Sequence, residues 1–107
     1  MSKTLTAGDC KLLLTRGVND RVADDGKFAA FVWESLLRFN RGDWGGIDNP
    51  EGIEANDYDT AELNNGRYGQ PLGLYTPQGE GPEIWIIRSI VDKDGTQAIT
   101  VLFPDEY

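Results

Sequence analysis

The chain has no histidine and a single cysteine, Cys10, among its 107 residues. Without imidazole, Ser-His and Cys-His nucleophiles and histidine-based metal sites are excluded. One cysteine also excludes an internal disulfide and a multi-cysteine metal site. We interpret Cys10 as a half-buried structural thiol, because Lys11 alone is weak support for a reactive thiolate. We therefore expect a protein that is not an enzyme, with no catalytic residue, no cofactor and no metal.

Long apolar runs are also missing from the sequence. Nothing approaches the roughly 18 consecutive apolar residues that a membrane helix requires. The start of the chain, Met1–Thr6, lacks the apolar region of a signal peptide. We therefore expect a mature cytoplasmic protein that does not contact a membrane. The length and a hydrophobic content of 39% predict one domain, residues 1–107, with a single core.

Basic residues are scarce relative to acidic ones. Eighteen acidic and ten basic side chains give a net charge of −8. This balance opposes direct binding of nucleic acid and favours a protein partner with a basic surface. The segment 42–66 has no Lys or Arg and carries a net charge of −7. Its acidic residues are Asp43, Asp48, Glu51, Glu54, Asp57, Asp59 and Glu62.

The clearest predicted element is an amphipathic helix from Lys27 to about Arg41. Its apolar side chains recur at helical spacing, which places them on one face that we expect to be buried against a sheet. These side chains are Phe28, Phe31, Val32, Leu36 and Phe39. Asp24 or Asp25 is the expected N-cap, and Gly42 is the expected stop.

The remaining pattern predicts strands and a second helix. The expected strand segments are 11–15, 67–76, 83–91 and 96–103. The last two segments are joined by a tight turn at Asp92–Gly95. Near the start of the chain, turn residues at 16–20 end the first strand, and a short helical turn follows at 22–23. An acidic helix should begin at Asn49-Pro50 and stop at 64–66. We predict an α+β fold in which a small antiparallel sheet of about four strands packs against one main amphipathic helix, plus a short acidic helix.

The three tryptophans could be core or contact residues. We assign Trp33, beside Val32 on the helix, and Trp85, in the third strand segment, to the core. Trp44 follows the helix in a glycine-rich segment, where it either closes the edge of the core or is an exposed anchor for a partner. Trp44 therefore stays among the partner-binding candidates, together with the seven acidic residues of the segment 42–66.

Several segments carry a resemblance to a known group of proteins. They are 14–23, 28–45 with its ending Arg-Gly-Asp-Trp-Gly, Ala55-Asn56, 84–87 and 100–107. In this order they resemble small plasmid-related proteins found on plasmids, phages and integrative elements of Gram-positive bacteria. The 70–81 region is longer and richer in Gly and Pro than the group's pattern. The group offers no catalytic residues to transfer.

The resemblance implies a mobile genetic element as the genomic setting. Small acidic proteins in that setting often counter host defence, including CRISPR–Cas effectors and restriction enzymes, and several imitate DNA with carboxylates. We therefore expect an anti-CRISPR-like binding protein whose 42–66 segment presents an acidic, nucleic-acid-mimicking surface to a basic site on its target.

Two alternatives remain at this point. One is a plasmid accessory protein such as an acidic antitoxin or a transfer regulator. The other is a small carboxylate enzyme, which the missing histidine disfavours. A clustered acidic face flanked by exposed aromatic side chains would favour the inhibitor, whereas a symmetric apolar patch would favour an antitoxin or a homodimer.

Overall fold

The computed structural model describes residues 10–107, which form a four-stranded sheet and three helices. In chain order the elements are β1 (Cys10–Leu14), α1 (Arg16–Asp24), α2 (Gly26–Asn40), α3 (Pro50–Asn64), β2 (Leu72–Tyr75), β3 (Ile84–Ile90) and β4 (Gln97–Leu102), followed by a 3-10 turn at Pro104–Glu106. The predicted α+β class, with one main amphipathic helix and a second acidic helix, is confirmed.

The sheet has the strand order β1-β4-β3-β2. β2 pairs with β3, and β3 with β4, in antiparallel fashion, whereas β1 lies parallel to β4. The expectation of a purely antiparallel sheet is therefore corrected at β1. A tight turn would impose antiparallel pairing on the strands that it joins. β1 is followed by helices and not by such a turn, so it is free to lie parallel to its neighbour.

The predicted turn between β3 and β4 is present: the Gly95 N–H donates to the Asp92 carbonyl at 3.0 Å, and Gly95 has a φ of +89°.

α2 packs its apolar face against one face of the sheet. Of the five predicted core residues, four are buried and Phe31 is half-buried at the margin. The sheet side of this core comes mainly from Ile84, Ile86 and Val101. The expected cap is also present, since the Asp25 carboxylate accepts the backbone N–H groups of Lys27 and Phe28 at 3.0 and 3.2 Å. Helical periodicity was therefore a sufficient guide to this element.

α1 is longer than the sequence pattern indicates, because it begins at Arg16 where a break was expected. The Glu106 carboxylate accepts the Gly17 N–H at 3.0 Å and the Thr15 hydroxyl at 2.5 Å. The bond from Thr15 is the main cause of a lowered pKa of Glu106, and the N–H groups of Phe103 and Gly17 add to it. A distant carboxylate thus caps the first turn of the helix, which local sequence does not reveal.

The prediction that Trp33 belongs to the core is wrong, because its side chain is 61% exposed. It follows Val32 on α2, and a step of one residue rotates the side chain by about 100° away from the buried stripe. Trp85 is half-buried and packs edge-on against the ring of Tyr107, with the centroids 5.5 Å apart.

Within residues 10–107 no helix combines the length and apolarity needed to cross a membrane.

Candidate partner-binding surface on the acidic helix

The loop between α2 and α3 closes part of the free edge of β2. The Leu74 N–H donates to the Trp44 carbonyl at 3.2 Å, and the Leu74 carbonyl accepts the Gly46 N–H at 2.8 Å. Gly45 lies between these bonds with a φ of +65°, and a Cβ there would meet the Leu74 carbonyl oxygen at 1.8 Å. Only glycine fits this backbone approach. The glycine-rich segment after α2 is therefore required by strand pairing.

α3 closes the next part of the same edge with polar side chains. The Asn56 carboxamide donates to the Leu72 carbonyl at 2.9 Å and accepts the Leu72 N–H at 3.0 Å. Two residues before Leu72 in the chain, the Gln70 N–H donates to the Asp59 carboxylate at 3.1 Å. An open strand edge is a template for pairing with other chains, and these contacts occupy its donors and acceptors.

Trp44 lies in the core, so the alternative of an exposed anchor is wrong. Its side chain is 5% exposed and its ring meets the Phe39 ring edge-on, with the centroids 5.2 Å apart. The indole N–H donates to the Asp57 carboxylate at 3.1 Å. The loop pairs with β2 at Gly45, and this pairing turns Trp44 inward over the end of α2. Trp44 is therefore removed from the candidate contact residues.

Asp43 holds the start of the same loop. Its carboxylate forms a two-pronged ion pair with Arg38, with N–O distances of 2.8 and 3.2 Å, and accepts the Gly45 N–H at 3.1 Å. The Arg38 guanidinium is the main cause of a lowered pKa of Asp43. The Asp43 carbonyl accepts the hydroxyl of buried Tyr75 at 2.7 Å, and burial raises the pKa of that hydroxyl. Asp43 is therefore occupied within the fold.

The acidic residues at the C-terminal half of α3 also have partners. Asp57 accepts the Trp44 indole and Asp59 accepts the Gln70 backbone, as described above. Glu62 forms a two-pronged ion pair with Arg67, at 3.0 and 2.8 Å, and this contact lowers the pKa of Glu62. Asp57 remains exposed, but all three carboxylates connect α3 to neighbouring segments, which the sequence did not suggest.

The remaining predicted acids, Asp48, Glu51 and Glu54, are exposed. In the part of the chain that the structure describes, no Lys or Arg forms an ion pair with them. Glu51, Glu54 and Tyr58 follow one another at helical spacing, and we call these three residues the outer face of α3. Tyr58 is 64% exposed, and Tyr68, just after the helix, is 69% exposed. The structure thus brings acidic and aromatic side chains together on a helix whose other side is fixed to the sheet.

The sequence interpretation missed the role of Asn56. Its side chain is 7% exposed although the residue lies in the middle of a strongly acidic helix. Asn is a poor residue for a helix interior because its carboxamide competes for backbone groups. An Asn in the middle of a helix therefore indicated that its side chain bonds to a backbone group outside the helix.

Comparison with known proteins adds no functional assignment to this geometry. The chain matches no protein-family model, and it has no significant similarity to a curated protein or to a solved structure. The resemblance to plasmid-related proteins therefore stays a prediction. Within residues 10–107, no group of three or more carboxylate or thiol side chains is arranged to hold a metal ion.

Proposed function

We propose that the protein is a mobile-element-encoded inhibitor of a host defence system, anti-CRISPR-like in action. It presents the outer face of α3, with Asp48 just before the helix, to a basic, nucleic-acid-binding site on its target. The observation that carries this proposal is the set of three exposed acids that form no ion pair within residues 10–107, with the exposed Tyr58 following Glu54 on the same helix face. A clustered acidic face with an exposed aromatic side chain favours an inhibitor over an antitoxin.

The spacing of the carboxylates supports nucleic-acid mimicry. Glu51 and Glu54 lie three residues apart, which corresponds to about 4.5 Å along a helix axis. A DNA strand carries one negative charge per ~3.4 Å of its axis. Arg and Lys side chains arranged for phosphates can therefore reach carboxylates spaced along one helix.

The attachment of α3 also supports this role. The bonds from Asn56 and Asp59 to the backbone of β2 fix the inner side of the helix. A surface that is already ordered loses less conformational entropy on binding. Tyr58 and Tyr68 add large aromatic contact area of the kind that is enriched at binding hot spots.

The affinity should come from the acids collectively. Each exposed ion pair contributes only about 0–1 kcal/mol, whereas a field of like charges accelerates association with a basic surface. The effect should weaken with salt, because charges are screened beyond ~8 Å at physiological ionic strength.

The test of the proposal neutralises the exposed acids that form no ion pair within residues 10–107. The variant is Asp48→Asn/Glu51→Gln/Glu54→Gln. The matched control is Asp24→Asn/Glu34→Gln/Glu80→Gln, which removes the same charge from exposed positions elsewhere. Asp57, Asp59 and Glu62 are left unchanged, because replacing them would damage the fold and confuse the readout.

The assay measures DNA cleavage by a purified CRISPR–Cas effector nuclease loaded with its guide RNA. We expect the unmodified protein and the control variant to inhibit cleavage in competition with DNA, less strongly at high salt. The test variant should lose most of this inhibition through slower association. Absence of inhibition by the unmodified protein, or equal inhibition by both variants, would contradict the proposal.

A further inference from the structure

A cavity of about 890 Å³ lies between α2, α3 and the sheet face that α2 covers. Its volume falls within the range of roughly 300–1,000 Å³ typical of small-molecule sites. The apolar part of its lining includes Leu12, Leu36, Pro71 and Ile99. Glu51, Glu54 and Tyr58 do not belong to the lining, so the cavity is separate from the outer face of α3.

Arg88 of β3 is one of the polar residues that line this cavity. Its Nε–H donates to the Gln97 carboxamide at 2.8 Å, and one Nη2–H donates to the Asn64 carboxamide at 2.9 Å. Both acceptors are neutral, and no carboxylate in residues 10–107 pairs with this half-buried guanidinium. A guanidinium has five N–H donors, so about three remain for another acceptor. Desolvation lowers the pKa of Arg88, and a bound anion would offset this cost.

The charge around the cavity is opposite to that of the whole protein. Its charged lining residues are the three cations Lys11, Arg41 and Arg88 and one acid, Asp57. The Asp57 carboxylate is already bonded to the Trp44 indole. In a chain of net charge −8, this local excess of positive charge favours an anionic occupant.

Trp33 gives the cavity an aromatic wall. It lines the cavity from α2 while remaining 61% exposed. An indole beside an apolar floor offers a face on which a planar group can stack. The combination of an apolar floor, an aromatic wall and an arginine without a carboxylate partner is typical of a site for an amphipathic ligand.

We propose that this cavity binds a small organic anion, in which a carboxylate or phosphate is attached to a planar aromatic body. The Arg88 guanidinium receives the anion through its remaining N–H donors, since its fork matches both carboxylate and phosphate geometry. The aromatic body packs between Trp33 and the apolar floor. Lys11 and Arg41 add attraction at the cavity.

The experiment is a titration of the ¹⁵N-labelled protein, followed by NMR at the Arg88 Nε–H and the Trp33 indole N–H. The probes are 2-naphthoate and adenosine monophosphate, with 2-naphthamide and adenosine as neutral counterparts and inorganic phosphate as the anion without a ring. We expect at least one organic anion to saturate both signals with a Kd between about 1 µM and 1 mM. Its neutral counterpart should bind at least about tenfold more weakly. Naphthoate binding selects the carboxylate class, and nucleotide binding selects the phosphate class.

Variants test the assignment of each group. Arg88→Gln and Trp33→Leu should each weaken binding at least about tenfold, whereas Arg16→Gln, which removes an exposed cation outside the lining, should not. Because Arg88→Gln also removes two hydrogen bonds within the fold, the double variant Lys11→Gln/Arg41→Gln provides an independent measure of the charge effect. Both of its replaced side chains are exposed, and binding by this variant should weaken severalfold.

Three results would overturn the proposal. The first is that neither organic anion shifts the Arg88 and Trp33 signals at millimolar concentration. The second is that inorganic phosphate or the neutral counterparts bind as tightly as the anions. The third is that Arg16→Gln weakens binding as much as the cavity variants do. Replacement of Asp48, Glu51 and Glu54 should leave anion binding unchanged, so this proposal and the proposed inhibitor function succeed or fail separately.

Discussion

α2 and α3 are both 15 residues long, but they are attached to the sheet by different forces. α2 buries five side chains, four of them apolar, whereas α3 buries only Asn56 and Leu63. The first helix is held by removal of apolar area from water, which is not directional. The second is held by hydrogen bonds from its polar side chains to backbone groups, which require defined geometry.

This difference explains why the acidic residues of α3 cannot be treated as one group. Besides the contacts of Asn56 and Asp59, the Leu63 carbonyl accepts the Gln97 carboxamide at 2.9 Å and the Asn64 carboxamide accepts Arg88. The inner side of the helix is therefore polar but structural. The outer face of α3 remains exposed.

The largest effect on stability should come from the apolar helix. Phe39→Ala should lower the free energy of unfolding by ~3–5 kcal/mol, because it removes a buried ring in contact with Trp44. Phe31→Ala should cost clearly less, since Phe31 is only half-buried. Urea denaturation of the two variants measures this difference. Equal losses would contradict the burial pattern of α2.

The next effect should come from the polar attachment of α3. Asn56→Ala leaves both backbone groups of Leu72 without their partner, and each such group costs about 1–3 kcal/mol when buried. We expect a loss of ~2–3 kcal/mol and faster hydrogen exchange at the Leu72 amide. Asn56→Asp retains the acceptor for the Leu72 N–H but not the donor, so that amide should stay partly protected. Unchanged exchange in Asn56→Ala would rule out the proposed closure of the edge.

Acid should weaken the loop before α3 and the end of that helix more than α2. The pKa values of Asp43 and Glu62 are lowered in the folded protein by Arg38 and Arg67 respectively. A lowered pKa gives stability above the ordinary carboxyl value of about 4, and this stability is lost as pH falls through the folded pKa. Hydrogen exchange between about pH 5 and 3 should therefore show early loss of protection at Gly45 and Arg67, while the interior amides of α2, beyond the first turn capped by Asp25, stay protected. Simultaneous loss in both regions would argue against this separation.

The smallest effect on stability should come from the outer face of α3. Glu51→Gln/Glu54→Gln should change the free energy of unfolding by no more than about 0.5 kcal/mol, because both carboxylates are exposed and neither forms an ion pair within residues 10–107. Thermal denaturation of this variant and of the unmodified protein, under the same conditions, measures the change in stability. A loss above about 1 kcal/mol would assign these residues a structural role and remove the support for a binding face.

Several elements could be predicted from local sequence because their causes are local. The apolar repeat of α2, the Asp25 cap and the Asp92–Gly95 turn each depend on residues within a few positions of one another. The start of α1 could not be predicted in this way, because its cap is Glu106 near the other end of the chain. Trp44 shows the same limit: two placements were consistent with its surroundings, and the pairing of Gly45 with Leu74 decided between them.

The α+β class, the buried stripe of α2 and the concentration of acid between residues 42 and 66 could all be read from the amino-acid sequence. Periodicity and composition express these properties directly, since they depend on spacing and charge along the chain. The tertiary structure was needed to establish that β1 lies parallel to β4, that Asp57 and Asp59 have hydrogen-bond partners, and that Arg88 lines a cavity with no carboxylate of residues 10–107 paired to it. Each of these features depends on contacts between segments that are far apart in the sequence. Such contacts determine which groups are buried and which hydrogen bonds form, so neighbouring residues alone do not predict them.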